Sequence, residues 1–312
     1  LKEMGGVEPI EVISRDVIES KIWETRPFRK YDILSPVPRL SGGRIHPLTW
    51  VMNMVREVFV SMGFEEYEGP WIETSFWNMD AMFIPQHHPA RDVQDTFYLN
   101  EYGKLPGNEI IAKVKAVHEN GWKTGSIGYG MPWNPQTAMM LVLRSHTTAV
   151  TYRLLAKGVR PPIKVFSIGR VFRNETPDPL HLPEFHQIEG FVYAKGLTLR
   201  HLMGYLKTFY EQFGITKLRF KPTYNPYTEP SMEIYAFNPA MNKWIEVANS
   251  GVFRPEATLP YGIKYNIIAW GLAVERLAGL LFTIKDIRDL IGSRCDYDFI
   301  RRYPFREVKF TG

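Results

Sequence analysis

The chain has 312 residues, of which 45% are hydrophobic and 14% aromatic; this is ample for one large core or two small ones and excludes a disordered chain. A formal charge of +5 and a pI near 9.1 are compatible with a nucleic-acid partner without demanding one. Cys295 is the only cysteine, which rules out an internal disulfide and points to a reducing, cytoplasmic compartment.

Residues 1–40 read as an N-terminal extension and connector, and 41–312 as one regular domain. LKEMGG lacks an initiating methionine, as in a fragment or a trimmed chain, and carries no secretory signal pattern. SPVPRLSGG is a Pro/Gly/Ser connector. HPLTWVMNMVREVFVSMG predicts a helix with Pro47 in its first turn and Gly63 past its end, since Leu48, Val51, Val55, Val58 and Met62 recur at helical spacing. FEEYEGPWI reads as a strand stopped near Pro70. Asn108 is placed to cap a helix over 109–120 that Gly121 closes.

LVLRSHTTAVTYRLLAKG predicts a short strand, a turn and a helix ending at Gly158. IKVFSIGRVFR and EFHQIEGFVYA are β-rich. LTLRHLMGYLKTFYEQFG is helical up to Gly214. KLRFKPTY, SMEIYAF and KWIEVAN read as three more strands, and a last long helix is expected from about 266 to 282. The longest uncharged apolar run, YNIIAWGLAV between Lys264 and Glu275, is well short of the roughly 18 residues of a membrane span. After residue 160 the strands come consecutively with one helix among them. This predicts an α+β fold, an antiparallel sheet flanked by helices. The common glycine-rich phosphate loops, G-x-G-x-x-G and G-x-x-x-x-G-K-[ST], are absent from the sequence.

Two stretches carry chemistry. RNETPDPLHLPEFHQIEG, residues 173–190, joins two predicted strands through a loop stiffened by Pro177, Pro179 and Pro183. Alternation puts Arg173 and Glu175 on one face, and Phe185, Gln187 and Glu189 on one face. A cation, a ring, an amide and a carboxylate together suit a zwitterionic or phosphate-bearing ligand; a surface hairpin with a salt-bridged face is the other reading. GLAVERLAGLLF sets Glu275 and Arg276 in an apolar helix, so Arg276 is expected to face something anionic or aromatic. In HHPARD, His87, His88 and Asp92 are close in sequence, but adjacent histidines on a strand diverge and rarely share an ion. His118 and His201 read as surface residues, and Trp50, Trp71 and Trp244 as core or interface. Trp77 is open between core and ligand loop. The basic, aromatic tail RRYPFREVKF reads as a solvated end or an RNA contact. No G-x-S-x-G supports hydrolysis by a serine triad.

These residues carry a family resemblance. Residues 173–190 resemble the motif 2 hairpin of class II aminoacyl-tRNA synthetases, GLAVERLA their motif 3, and the segment ending at GFEEYEGP their motif 1. SFWNMDAMFIPQHHPARDVQDTFYL, RSHTTAV and NPYTEPSMEI resemble the catalytic α subunits of phenylalanyl-tRNA synthetases over roughly residues 8–300. NPYTEPS and NSGVFRPE are similar to the archaeal or eukaryotic form.

The resemblance implies a class II antiparallel sheet flanked by helices. It also implies activation of L-phenylalanine by ATP, with Mg²⁺, to phenylalanyl-adenylate, and transfer to tRNA(Phe). Arg173 would bridge the α-phosphate and the substrate carboxylate, Glu175 would read adenine, and His181 would lie near the pyrophosphate. Phe185 and Arg276 would sandwich adenine. His146, Thr148, Gln187 and Glu189 would hold the amino-acid ends. Asn225, Tyr227, Ala269 and Gly271 would line the side-chain pocket, with Ala269 as its floor. Glu246 is the candidate Mg²⁺ ligand. Ala273 stands where the motif commonly has a second glycine. The implied partner is a β subunit that carries editing, in an (αβ)₂ heterotetramer with no membrane contact. The alternatives are a related class II ligase for another amino acid, such as phosphoserine, and a non-catalytic nucleotide- or RNA-binding module of the same fold.

Overall fold

The structure is a computed structural model that describes residues 8–30, 32, 34, 43–92, 95–239, 241–291 and 295–302. The chain divides into two compact units, Leu1–Arg44 and Ile45–Gly312. Most of the SPVPRLSGG connector and all but the first two residues of the RRYPFREVKF tail lie outside the described residues. In the first unit, Ser14 caps the short helix α1 (Arg15–Glu19), and Ile10 bridges to Phe28.

The second unit is built on two sheets. Its strands are β1 (Glu65–Glu66), β2 (Ile72–Thr74), β3 (Tyr98–Tyr102), β4 (Met140–Leu143), β5 (Ile163–Phe172), β6 (Glu184–Tyr193), β7 (Leu218–Asn225), β8 (Thr228–Asn238), β9 (Lys243–Phe253) and β10 (Ile267–Ala273). Among the described residues the larger sheet runs β1-β5-β6-β10-β9-β8-β7, and the smaller β2-β4-β3. Only β1 joins the large sheet in parallel; the remaining neighbours are antiparallel. The helices are α2 (Pro47–Ser61), α3 (Ser75–Asn78), α4 (Asn108–Asn120), α5 (Pro135–Met139), α6 (Thr148–Ala156), α7 (Leu199–Gln212), α8 (Pro255–Thr258), α9 (Val274–Leu281) and α10 (Tyr297–Arg302). The α+β class and the antiparallel sheet expected from the sequence are present.

The large sheet separates two cores. On one face, Ile168, Ile188, Trp270 and Leu272 pack with Val51, Val55 and Phe59 of α2 and Leu202, Leu206 and Phe209 of α7. The Phe59 ring stacks 5.1 Å from Phe166 and 4.8 Å from Phe209. On the other face, Val165, Phe191 and Ala269 meet Phe76, Trp77, Met82, Tyr152 and Leu155. Trp77 is therefore a core residue, crossed by Arg153 at 5.1 Å.

Four sequence expectations need correction. The helix expected over 266–282 is strand β10 followed by α9. Residues 267–270 are buried whichever face they take, so the run shows no alternation to separate strand from helix. FEEYEGPWI is split between β1 and β2, which belong to different sheets, because Gly69 and Pro70 interrupt it. Asn108 is the first helical residue of α4, and Gly107 is the cap. His118 is buried, not superficial: its Nε2 lies 2.9 Å from the Asp80 carbonyl. Trp71, by contrast, is half exposed.

Candidate active site

Pairing register builds the site. In the β5–β6 hairpin, Val171 faces Phe185, Gly169 faces Gln187 and Ser167 faces Glu189. Across the sheet, Gln187 faces Ala273, Glu189 faces Gly271 and Phe191 faces Ala269. Further on, Gly271 faces Asn249 and Ala269 faces Gly251. Side chains on one face repeat every second residue, so Phe185, Gln187 and Glu189 rise beside Ala269, Gly271, Ala273 and Gly251. The small residues leave a trough, a cavity of about 450 Å³. A Cβ on Gly271 would come within 2.6 Å of Gln187 Nε2. Every site residue singled out from the sequence lines this one cavity.

At one end lie the nucleotide candidates. Arg173 Nε donates to the Ser145 carbonyl at 3.1 Å, and its guanidinium lies 5.2 Å over the Phe185 ring and 3.8 Å from the Glu175 carboxylate. The guanidinium facing Phe185 here is thus that of Arg173. Arg276, in the first turn of α9, donates to the Glu246 carbonyl at 3.0 Å and lies 3.6 Å from the Glu246 carboxylate. His181 is held by Asp178, which also accepts from the Leu180 and His181 amides at 2.7 Å. The Ile287 amide ties this loop down through the Pro179 carbonyl.

At the other end Glu189 is buried and accepts hydrogen bonds from the hydroxyls of Thr148, Thr151 and Thr147. The Thr148 hydroxyl, expected to meet the ligand, is engaged with Glu189. Gln187 Oε1 accepts from the Thr147 amide at 3.3 Å, which leaves its Nε2 donors over Gly271. Asn225 Nδ2 donates to Asn249 Oδ1 at 2.7 Å. Tyr227, Phe253 and Ala269 give this end apolar walls.

A family model described as tRNA synthetases class II core domain (F) matches residues 30–303. The chain belongs to the class II tRNA synthetases. It is 49% identical over 268 residues to a protein of Archaeoglobus fulgidus named phenylalanine–tRNA ligase alpha subunit, covering 86% of this chain and 56% of that one. A Homo sapiens protein of the same name is 47% identical over 302 residues, covering 94% of this chain and 59% of that one. The chain thus spans somewhat over half the length of these relatives. Its fold is similar to the crystal structure of pyrrolysyl-tRNA synthetase from Desulfitobacterium hafniense, with a TM-score of 0.56 at 16% identity over 79% of this chain and 73% of that one.

The electrostatics of this class II core are uneven. Burial raises the Glu189 carboxyl to about 7, against the three threonine hydroxyls and the more distant Arg144 charge, which all lower it. Burial, reinforced by the Arg173 charge, lowers His146 to about 3. The imidazole is therefore neutral. Its Nε2 faces the Asn78 carbonyl at 2.7 Å and must carry the proton, so Nδ1 is an acceptor, buried and unpartnered. Arg173 is reached by water on one side yet ringed by protein. Desolvation lowers its pKa, but a guanidinium stays charged.

Sequence reasoning missed the residues that hold these groups. Asn78, Ser145, Thr147, Thr151 and Asp178 act through contacts that no local pattern announces. Glu275 was seen, but its role was not. Its buried carboxylate accepts from the His186 amide at 3.0 Å and lies 2.8 Å from His186 Nδ1, joining α9 to β6 between Phe185 and Gln187. Among the described residues no group of three or more His, Cys, Asp or Glu side chains is placed to hold a metal. In HHPARD, His88 Nδ1 accepts from the Ala90 amide, and Arg91 turns inward to Asp80 at 3.1 Å. Glu246 is one partly exposed carboxylate facing the cavity. That suits Mg²⁺ arriving with a polyphosphate, which takes one or two carboxylates plus phosphate oxygens.

Proposed function

We propose that this chain is the catalytic part of a phenylalanine–tRNA ligase α subunit, with 41–312 as the catalytic domain. The observation that carries this reading is the single cavity with an arginine-bearing end and an amide–carboxylate end above an apolar pocket. At the second end, Glu189 would receive the ammonium of L-phenylalanine beside the His146 Nδ1 acceptor. Gln187 Nε2 would donate to its carboxylate, and its ring would lie between Asn225, Tyr227 and Phe253 over Ala269 and Gly271. ATP would occupy the first end. Glu175 would read adenine, Phe185 and Arg276 would close on its two faces, and His181 would lie near the pyrophosphate. For Arg276 to do so it must leave Glu246, and the terminal Nη groups of Arg173 must turn from Phe185 toward the phosphate while its Nε keeps the Ser145 carbonyl.

The substrate carboxylate oxygen attacks the α-phosphorus of ATP. A P–O bond forms to the acyl group as the bond to pyrophosphate breaks in line. The terminal ribose hydroxyl of tRNA(Phe) then attacks the acyl carbon, and AMP leaves. Carboxylate and pyrophosphate need little acid–base help, so the protein contributes placement and charge. Arg173 would span the attacking carboxylate and the α-phosphate; its planar fork suits that task better than a lysine would. Mg²⁺ near Glu246 would neutralise charge on the phosphates. The implied assembly is an (αβ)₂ heterotetramer in the cytoplasm, with a β subunit completing tRNA(Phe) charging. Phosphoserine is disfavoured, because Tyr227, Phe253 and Ala269 offer its phosphate no cation.

Phenylalanine-dependent exchange of pyrophosphate into ATP tests the reading, with tRNA(Phe) charging measured after mixing with a β subunit. Arg173→Ala should slow exchange by roughly two orders of magnitude or more, as loss of a preorganised charge contact does. Exchange driven by phosphoserine in place of phenylalanine would refute the assignment.

A further inference from the structure

Asn78 does not line the cavity, yet contacts from both of its ends, Arg173 and His146, converge on it. It closes α3 and is fully buried. Its side-chain Oδ1 accepts from the Ser145 amide at 3.1 Å, and its Nδ2 lies 3.1 Å from Ser145 Oγ, donating to it. A backbone N–H can only donate, so the atom it meets must be the amide oxygen; this fixes the orientation of the side chain. Two antiparallel hydrogen bonds from one planar amide to one residue stop Ser145 from rotating. The Ser145 carbonyl is the acceptor of Arg173 Nε at 3.1 Å. The main-chain carbonyl of Asn78 accepts from His146 Nε2 at 2.7 Å and so selects the tautomer in which Nδ1 is the acceptor.

We propose that the Asn78 side chain is a positioning residue for adenylate formation, which aims Arg173 through Ser145; the main-chain carbonyl at 78, which any residue there would supply, sets the His146 tautomer. The assignment rests on the functional reading above. Asn78 is itself well anchored. Its neighbours Phe76 and Trp77 are core residues, and Arg91 Nη1 donates to Ser75 Oγ at 3.0 Å and pairs with Asp80 at 3.1 Å. A rigid element thereby orients an arginine from a different part of the chain. Aspartate would keep the acceptor and lose the donor, and alanine would lose both.

The test uses the complete ligase, α with its β subunit, in phenylalanine-dependent pyrophosphate exchange. Asn78→Ala should lower kcat by roughly ten- to a hundred-fold, the scale on which misplaced reacting groups cost rate. The loss should fall on kcat, because Arg173 acts where the carboxylate meets the α-phosphate, and the KM values for phenylalanine and ATP should both stay within about twofold, since the main-chain carbonyl that orients His146 remains. Against an Arg173→Lys background, which has no Nε–H to aim, the same change should cost clearly less. Equal fold-losses in the two backgrounds would make Asn78 merely structural and overturn the proposal. Should Asn78→Ala fold poorly, Ser145→Ala removes only the hydroxyl partner and should show a smaller kcat loss with the same coupling to Arg173. A crystal structure of either variant supplies a readout independent of turnover: Arg173 Nε should leave the Ser145 carbonyl, and retention of that contact overturns the proposal. Absence of exchange by the wild type would instead refute the functional reading, with the crystal contact still deciding the role of Asn78.

Discussion

Glu189 is a buried carboxyl whose proton is held more tightly than usual, and stability and binding must therefore pull in opposite directions on it. Burial raises it from 4.5 to about 7. A raised folded-state pKa gives a contribution to stability that is complete below pH ~4.5 and is lost as pH rises through ~7. The shift corresponds to roughly 3 kcal/mol. Urea unfolding at pH 5 and pH 8 should show this loss in the wild type and not in Glu189→Gln. Phenylalanine binding by the wild type should strengthen as pH rises from 6 to 7.5, when the carboxylate forms, and calorimetric titration would show it. Glu189 was legible as a site residue because a period of two ran through FHQIEG. Thr148 was singled out too, but that Thr147, Thr148 and Thr151 would hold Glu189 was not legible, since RSHTTAVT lies on another element and the sequence does not say which strand α6 will cover. Asn78 and Ser145 are 67 positions apart, beyond the reach of any local signal.

Single elements were read well where the amphipathic period was clean. α2 and α7 present one apolar face each and end just before Gly63 and Gly214, and the β5–β6 hairpin showed as two β-rich runs around a proline-stiffened loop. β10 was misread because its residues are buried on both faces. The β10-to-α9 change of direction matters for the site, since it delivers Glu275 to His186 and Arg276 to the cavity. Removing the Glu275 carboxylate leaves a partly buried His186 amide without its partner, a cost of about 1–3 kcal/mol. It also loosens α9 against β6. Glu275→Ala should therefore raise the KM for ATP more than that for phenylalanine, because Phe185 and Arg276 lose their common reference. Equal rises in the two KM values would contradict this assignment.

For the molecule as a whole, the large sheet carries a packed core on one face and, on the other, the cavity beside a second core. Phe59 belongs to the first core, 1% exposed and stacked on Phe166 and Phe209. Phe59→Ala should lower unfolding stability by roughly 3–5 kcal/mol. At 25 °C it should leave both KM values of the folded fraction near normal, which urea titration and exchange kinetics would check together. The overall class was readable from the succession of strands after residue 160, while the partition into two cores depended on strand order, which no local pattern encodes. The trough owes its depth to what β10 and its neighbours lack. Ala269, Gly271 and Gly251 have no rotatable side chain above the sheet. Tyr227 and Phe253 can turn on warming, but a surface made of backbone cannot. If the cavity takes an amino acid as proposed, exclusion of over-long side chains is moulded into the main chain and keeps its grip as temperature rises, whereas discrimination by girth slackens with the side walls.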